Sequence, residues 1–559
     1  MIKGKHLSQR YVGQSVRAKE LRAPLVGKAK YTNDYSFEGQ LYAYILRSPH
    51  AAAKINSVDL SGAKKISGVH LALCGRDVFK HTNGITDHLN PAIFGGKSTR
   101  LPIMAVDEAW CYGQPVAIVI AEDERTARYA AERIQVDYTP KEPVVDAEKA
   151  IAKGARSVVP EWDDNVLIYV PFMNGDTQAA FDQADNIVTT DVKIHRFSSQ
   201  PMETRCYNAV WEHDTESITL YGTCQNPHPL RLVLAETLRM NENKIRIIAS
   251  TIGGAFGLKM HGHPEEPLIC LMTKLIRRPV KWVENREECL LIGAREQQHK
   301  VEMAFDSDAN MIGLRDHVLA NIGAPSACPG WGMVFLTGLT MPGPYKVENI
   351  DIHMNAVTTN KPSWNAARGY GKETTAIALE LAMDNAARQL GISPIDLRLR
   401  NFIKKDQFPY PSPTGLVYDS GDYGGVLLKA LETIGYEGWK DKQKSALAEG
   451  RYIGIGMAFE LTPEGGTIPG TMVAGYDSSS VRVGPDGTVR VLTGITSPGT
   501  HNGTAIAQIV ADELGIDIEE IEVLQGDTNS SPYGFGNYSG RSTIVGGGSA
   551  ALAAKDVRD

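Results

Sequence analysis

Four short segments of this chain carry residue types and spacings that could do chemistry. Gln225 sits in Thr223-Cys-Gln-Asn-Pro-His228. A glycine loop, Thr251-Ile-Gly-Gly-Ala-Phe-Gly-Leu-Lys259, offers Gly254, Ala255, Phe256 and Gly257. Arg368, Gly369 and Tyr370 lie in Ala366-Ala-Arg-Gly-Tyr-Gly-Lys-Glu373. The fourth group joins Ser497-Pro-Gly-Thr-His-Asn-Gly503, with Gly499, to Gly536-Asn-Tyr-Ser-Gly-Arg-Ser-Thr543, with Arg541 and Ser542. Glycine lets backbone approach backbone, or backbone approach a bulky ligand. A strand, glycine loop and helix in that order can turn backbone N–H groups at the helix start toward an anion. Taken singly, each segment also reads as a turn, a capped loop or a surface arginine. The glycine loop is not the G-x-G-x-x-G of a dinucleotide fold.

Other chemistries find no support. No Gly-x-Ser-x-Gly elbow supplies a serine nucleophile. The seven cysteines are scattered, with no C-x-x-C pair, so no zinc knuckle or iron–sulfur ligand set is readable. His261 and His263 flank a glycine without a shared helix face, and no metal ligand is assigned.

The elements that must position these segments follow from composition and periodicity. At 559 residues the chain exceeds one hydrophobic core. Its 42% apolar and 22% charged content is that of a soluble globular protein, and a net charge of −7 argues against nucleic acid as a partner. The start lacks an apolar signal region and no run of eighteen apolar residues occurs, so a cytoplasmic protein without a membrane span is expected. Sparse thiols fit a reducing compartment. Strands are expected at 41–46, 115–121, 134–138, 217–221, 244–249 and 488–492. Helices are expected at 124–133, around 266–274, at 374–390 with Gly391 as its cap, and at 504–514. Glycines are dense at 252–257, 454–456, 465–470, 494–503 and 534–548. The expected fold is α+β: an arm at 1–20, a small unit at 21–143, a larger one at 160–430 and a further one from 450 to 559.

Order and gaps make the segments informative together. They resemble the large subunit of the molybdenum hydroxylases, the family of xanthine dehydrogenase, aldehyde oxidase and aerobic carbon monoxide dehydrogenase. The likeness also covers Tyr11-Val-Gly-Gln-Ser15, Arg47-Ser-Pro-His-Ala51, Tyr112-Gly-Gln-Pro-Val-Ala117 and Asp396-Leu-Arg-Leu-Arg-Asn-Phe402. It implies an α/β hammerhead at 21–143 and two molybdopterin-binding domains, the second incomplete. It implies catalytic roles for Gln225, Arg368 and Tyr370, with Gln225 donating its amide to an oxo group on molybdenum. Phe256 matches the family's phenylalanine at the metal, Ala255 replaces a glycine, and Gly369 stands where carbon monoxide dehydrogenases carry a copper-bridging cysteine. Gly254, Ala255, Phe256, Gly257, Gly369, Gly499, Arg541 and Ser542 are the implied cofactor-binding residues, Arg541 and Ser542 suiting phosphate or pterin oxygens. Pro498 and Thr500 depart from the family's glutamines.

The resemblance implies molybdopterin with molybdenum, in the cytosine dinucleotide form, and hydroxylation of an aldehyde or N-heteroaromatic carbon with water. The 2Fe-2S clusters and FAD would lie on separate small and medium subunits. The family's catalytic glutamate, in a Gly-x-Gly-Glu segment, has no match in this sequence. A second molybdopterin-binding chain would then supply it, and the isolated chain would be inactive. The alternative is a non-catalytic cofactor-binding or scaffold fragment.

Overall fold

The structure, a computed structural model, describes residues 10–85, 89–462, 464 and 476–559. The glycine-dense stretch 465–470 and the first nine residues of the arm lie outside the described residues. The largest sheet has seven strands in the order Ile245–Ile248, Ser217–Gly222, Cys206–Glu212, Val280–Val283, Leu41–Arg47, Pro115–Ala121 and Val69–Cys74. All seven residues of Pro115–Ala121 are buried, as a central strand covered on both faces requires. This sheet draws strands from both the 21–143 and the 160–430 stretches, because Leu41–Arg47 pairs in parallel with Val280–Val283. The two stretches therefore share one core.

A five-stranded sheet, Val166–Asn174, Asn349–Thr358, Met311–Gly323, Gln297–Phe305 and Asn186–Ile194, carries the long helix Lys372–Leu390. That helix ends at Gly391, whose φ of +69° closes it in the left-handed conformation. The last sheet, Ser479–Val483, Val489–Thr493 and Ile521–Leu524, packs under helices Asn502–Leu514 and Gly547–Arg558 around Val491, Ile506 and Ala550. The arm docks on this unit: Tyr11 and Val12 donate their main-chain N–H groups to Asp512, and Glu20 accepts from the main-chain N–H of Thr504 at 2.9 Å.

The four segments occupy equivalent places. Gln225 follows the end of Ser217–Gly222, and the glycine loop follows its parallel neighbour Ile245–Ile248. The Arg368 loop follows Asn349–Thr358, and the 494–501 loop follows Val489–Thr493. Loops beyond the carboxyl ends of strands are where α/β sheets form ligand crevices.

Candidate functional site

Gln225 is the junction of three loops. Its side-chain oxygen accepts the N–H of Gly257 at 3.0 Å, and its amide nitrogen donates to the carbonyl of Asn537 at 2.8 Å. Its own carbonyl accepts the Asn537 N–H at 2.9 Å and the Thr496 hydroxyl at 2.5 Å, while its N–H donates to Lys259 O at 3.0 Å. At 3% exposure this residue is no loop ornament. Gly536 makes the approach possible: with φ +76°, a Cβ there would lie 2.2 Å from Gln225 O. Asn537 in turn donates to Thr496 O and to the Thr500 hydroxyl, the latter at 3.0 Å. Thr500 thus braces the asparagine that braces Gln225.

The glycine loop is fixed from behind by Glu203, whose carboxylate accepts the Gly253 N–H at 2.7 Å and the Lys259 ammonium at 2.9 Å. Burial pulls Lys259 down from its ordinary range, and the charge of Glu203 opposes that shift. The other Glu203 oxygen is buried without a partner. Ala255 is buried, so its methyl is accommodated, whereas Phe256 turns outward at φ +55° with 46% of its surface exposed. Gly254 and Gly257 hold φ values of +86° and +96°, and a Cβ on Gly257 would sit 2.6 Å from Ala366 O. The helix expected around 266–274 runs over Glu265–Ile276, several residues beyond the loop, so the loop's N–H groups are not at a helix N-terminus. The N–H groups of Gly262 and His263 instead donate to Glu266, whose carboxyl burial pushes up to about 8. His261 contacts Asn226, and His263 contacts Leu258 O and Asn365; burial holds His263 down at about 3.

The Arg368 loop meets the glycine loop at Ala366. Arg368 is exposed, and its carbonyl accepts from the Arg295 guanidinium. Arg295 pairs with Glu373 at 2.8 Å, a carboxyl that burial pushes up and Arg295 pulls back. Gly369 has φ +102°, and a Cβ there would lie 2.3 Å from Glu373 Oε2, so no side chain fits without displacing that pair. Tyr370, at φ +51°, donates its hydroxyl to Pro329 O at 2.6 Å and packs against the five-stranded sheet's core.

In the last unit Gly499 is exposed at φ +86° with nothing within 4 Å of a built Cβ. Arg541 is buried and turned to Asp477 at 2.5 Å, and it also donates to Gly536 O at 3.0 Å. Its guanidinium thus supports the Gly536 turn under Gln225. Burial raises Asp477 to about 6 against the pull of that guanidinium. Ser542 is buried and its hydroxyl has no hydrogen-bond partner. Asn537, Thr496, Lys259 and the Arg295–Glu373 pair were not singled out from the sequence. Asn537 was within reach, since it lies in the quoted Gly536–Thr543 segment, but its partner lies 312 residues away.

Sequence-distant loops thus converge on one buried amide in an α+β protein. Residues 159–402 and 429–559 match the molybdopterin cofactor-binding domain. Residues 26–142 match the aldehyde oxidase and xanthine dehydrogenase a/b hammerhead domain. The chain is 31% identical to the nicotine 6-hydroxylase large subunit of Paenarthrobacter nicotinovorans, covering 99% of this chain and 68% of that protein. It is 33% identical to the carbon monoxide dehydrogenase large chain of Afipia carboxidovorans, covering 95% and 68%. Quinoline 2-oxidoreductase from Pseudomonas putida 86 superposes with a TM-score of 0.93 at 32% identity, covering 98% of this chain and 71% of that one. The chain belongs to the molybdenum hydroxylase large-subunit family, whose members are molybdopterin-binding oxidoreductase subunits. No helix among the described residues is long and apolar enough to cross a membrane.

Proposed function

We propose that this chain binds molybdopterin cytosine dinucleotide at the convergence around Gln225 and hydroxylates an aldehyde or N-heteroaromatic carbon with water. The observation that carries the reading is that Gln225 joins the glycine loop and the 536–537 turn through its side-chain amide and the 494–502 loop through its main-chain carbonyl. The donor set fits a group rich in oxygen acceptors. An amide nitrogen has two hydrogens, and Asn537 O takes one of them. The exposed backbone at Gly499 adds an open approach on the 494–502 loop.

When bound, a molybdenum centre supplies the oxidising equivalents and a water-derived oxygen for the substrate carbon. The protein's own residues then have separable tasks. Gln225 fixes the pocket wall and offers a neutral donor that carries no titrating charge. Glu203 and Lys259 keep the glycine loop, and with it Phe256, in one conformation. Arg368 is exposed toward the substrate side, Tyr370 anchors that loop through Pro329 O, and Arg541 supports the turn beneath Gln225. The crowding at Gly369 disfavours a cysteine-bridged centre and with it carbon monoxide as substrate. The electrons leave through a 2Fe-2S small subunit and an FAD medium subunit, and the enzyme works in the reducing cytoplasm, where its seven free thiols stay reduced.

Pro498 and Thr500 favour a second reading, in which the chain holds the cofactor without turnover until another chain supplies a glutamate base. Turnover assays of the assembled complex with quinoline-type heteroaromatics, aldehydes and carbon monoxide test both. Oxygen incorporation from labelled water into the first two classes supports hydroxylation. Stoichiometric cofactor without turnover of any of them supports the second reading.

A further inference from the structure

Three consecutive residues of the Arg368 loop hold positive φ: Gly369 at +102°, Tyr370 at +51° and Gly371 at +96°. A bulky residue in that region is a strained outlier, and such strain persists only where the surroundings over-determine it. The far end of this turn is tightly bound. Tyr370 donates its hydroxyl to Pro329 O at 2.6 Å and its N–H to Ala367 O at 2.8 Å. Gly371 O accepts the hydroxyls of Thr374 at 2.6 Å and Thr337 at 3.1 Å, while the Gly371 N–H donates to Glu373 Oε2 at 2.8 Å. A Cβ on Gly371 would lie 2.1 Å from Met333 O, so this end has no slack.

The near end is held by one side chain from another element. Arg295 comes two residues before the strand Gln297–Phe305 and is itself left-handed, at φ +67°. Its guanidinium donates to Arg368 O, pairs with Glu373 at 2.8 Å and lies 4.3 Å over the Phe197 ring. One planar fork thus reaches both the residue before the strained turn and the carboxylate that accepts from its far end. A guanidinium suits this double task, because its donors spread in a fixed plane where an ammonium is a point charge. The Arg368 side chain is exposed, so its place follows the backbone that carries it.

We infer that Arg295 is a positioning residue: through Arg368 O and Glu373 it holds the strained turn that presents Arg368 to substrate. It acts through Arg368, and the inference rests on the substrate-side role proposed for that residue.

The test joins limited proteolysis of the purified complex to its kinetics. Trypsin cuts after arginine but needs the chain locally opened, so the Arg368–Gly369 bond, followed by mass spectrometry, reports on the turn. The variant is Arg295→Lys, which keeps a charge for Glu373 and loses the fork. The inference expects cleavage at that bond about 10-fold faster, the worth of one hydrogen bond to a charged group, with molybdenum content unchanged. It expects kcat/KM to fall about 10-fold through a higher KM at unchanged kcat. It also expects Arg295→Lys with Arg368→Ala to be no worse than Arg368→Ala alone, because both act through one side chain. Cleavage at the wild-type rate in Arg295→Lys would overturn the inference, and so would losses that add in the double variant. Proteolysis is read without turnover, so a wild-type complex inactive on every substrate sinks the proposed reaction while trypsin still decides whether Arg295 holds the turn.

Discussion

Gln225 shows how one side chain can set the geometry of residues several hundred positions apart. Truncation to Gln225→Ala leaves the Gly257 N–H and the Asn537 carbonyl unpaired in a buried place, a stability cost of about 1–3 kcal/mol. Activity of the assembled complex falls by about 10- to 100-fold, the usual effect of losing a hydrogen bond that orients a metal site. Steady-state kinetics beside urea unfolding separates the two effects. Glu203 and Lys259 act as a pair, with the ammonium fully buried. Glu203→Ala strands that charge and costs about 3–5 kcal/mol, and adding Lys259→Met recovers most of the loss. A double-mutant cycle by urea unfolding reads the coupling. Gln225 was legible only through the family resemblance, since a glutamine between a strand and Asn-Pro-His reads by itself as a capped loop residue. The sequence did not disclose the importance of Lys259, because that rests on Glu203, 56 residues earlier.

Elements were legible where local pattern decides them. The apolar run at 115–121, the alanine-rich helix behind Asp123 and the glycine stop at Gly391 all lie where their residues indicate. Pairing was not legible: nothing in 41–46 or 280–283 announces that these strands lie side by side, since register between distant strands is chosen by the assembled core. Helices Tyr423–Ile434 and Tyr436–Ala448 span the expected boundary at 430, with three glycines and many exposed charges blurring their periodicity. The helix Glu265–Ile276 gives a pH prediction. Glu266 has a folded value of about 8 against an ordinary 4.5, so between those values the folded state binds the extra proton. Its contribution therefore falls as pH rises through that window. His263 and His228, held near 3 and 4 by burial, act in the opposite sense: stability falls as pH drops below 6.5, where the unfolded chain takes up their protons. Urea midpoints across pH should show both limbs, and Glu266→Gln should flatten only the alkaline one.

At the scale of the whole molecule, the first unit and the cofactor-binding unit are held together by the shared sheet and by a buried charge ladder. Glu284 joins Arg205, Arg205 joins Glu265, Glu265 joins Arg47 and Arg47 joins Glu288. Arg47→Ala breaks the ladder, leaving Glu265 with Arg205 alone and Glu288 without its ion pair; it costs about 1–3 kcal/mol and makes the first unit the first to open in hydrogen exchange. The central claim is that this chain holds the cofactor where the four segments converge. The most direct measurement is the molybdenum content, and the nucleotide released by acid, of the purified complex, wild type beside Gly536→Val. The account predicts stoichiometric molybdenum with a cytosine nucleotide in the wild type. It predicts loss of both in Gly536→Val at retained secondary structure, because a side chain there collides with the Gln225 carbonyl. Wild-type complex free of molybdenum, or a Gly536→Val complex with its full complement, would contradict it.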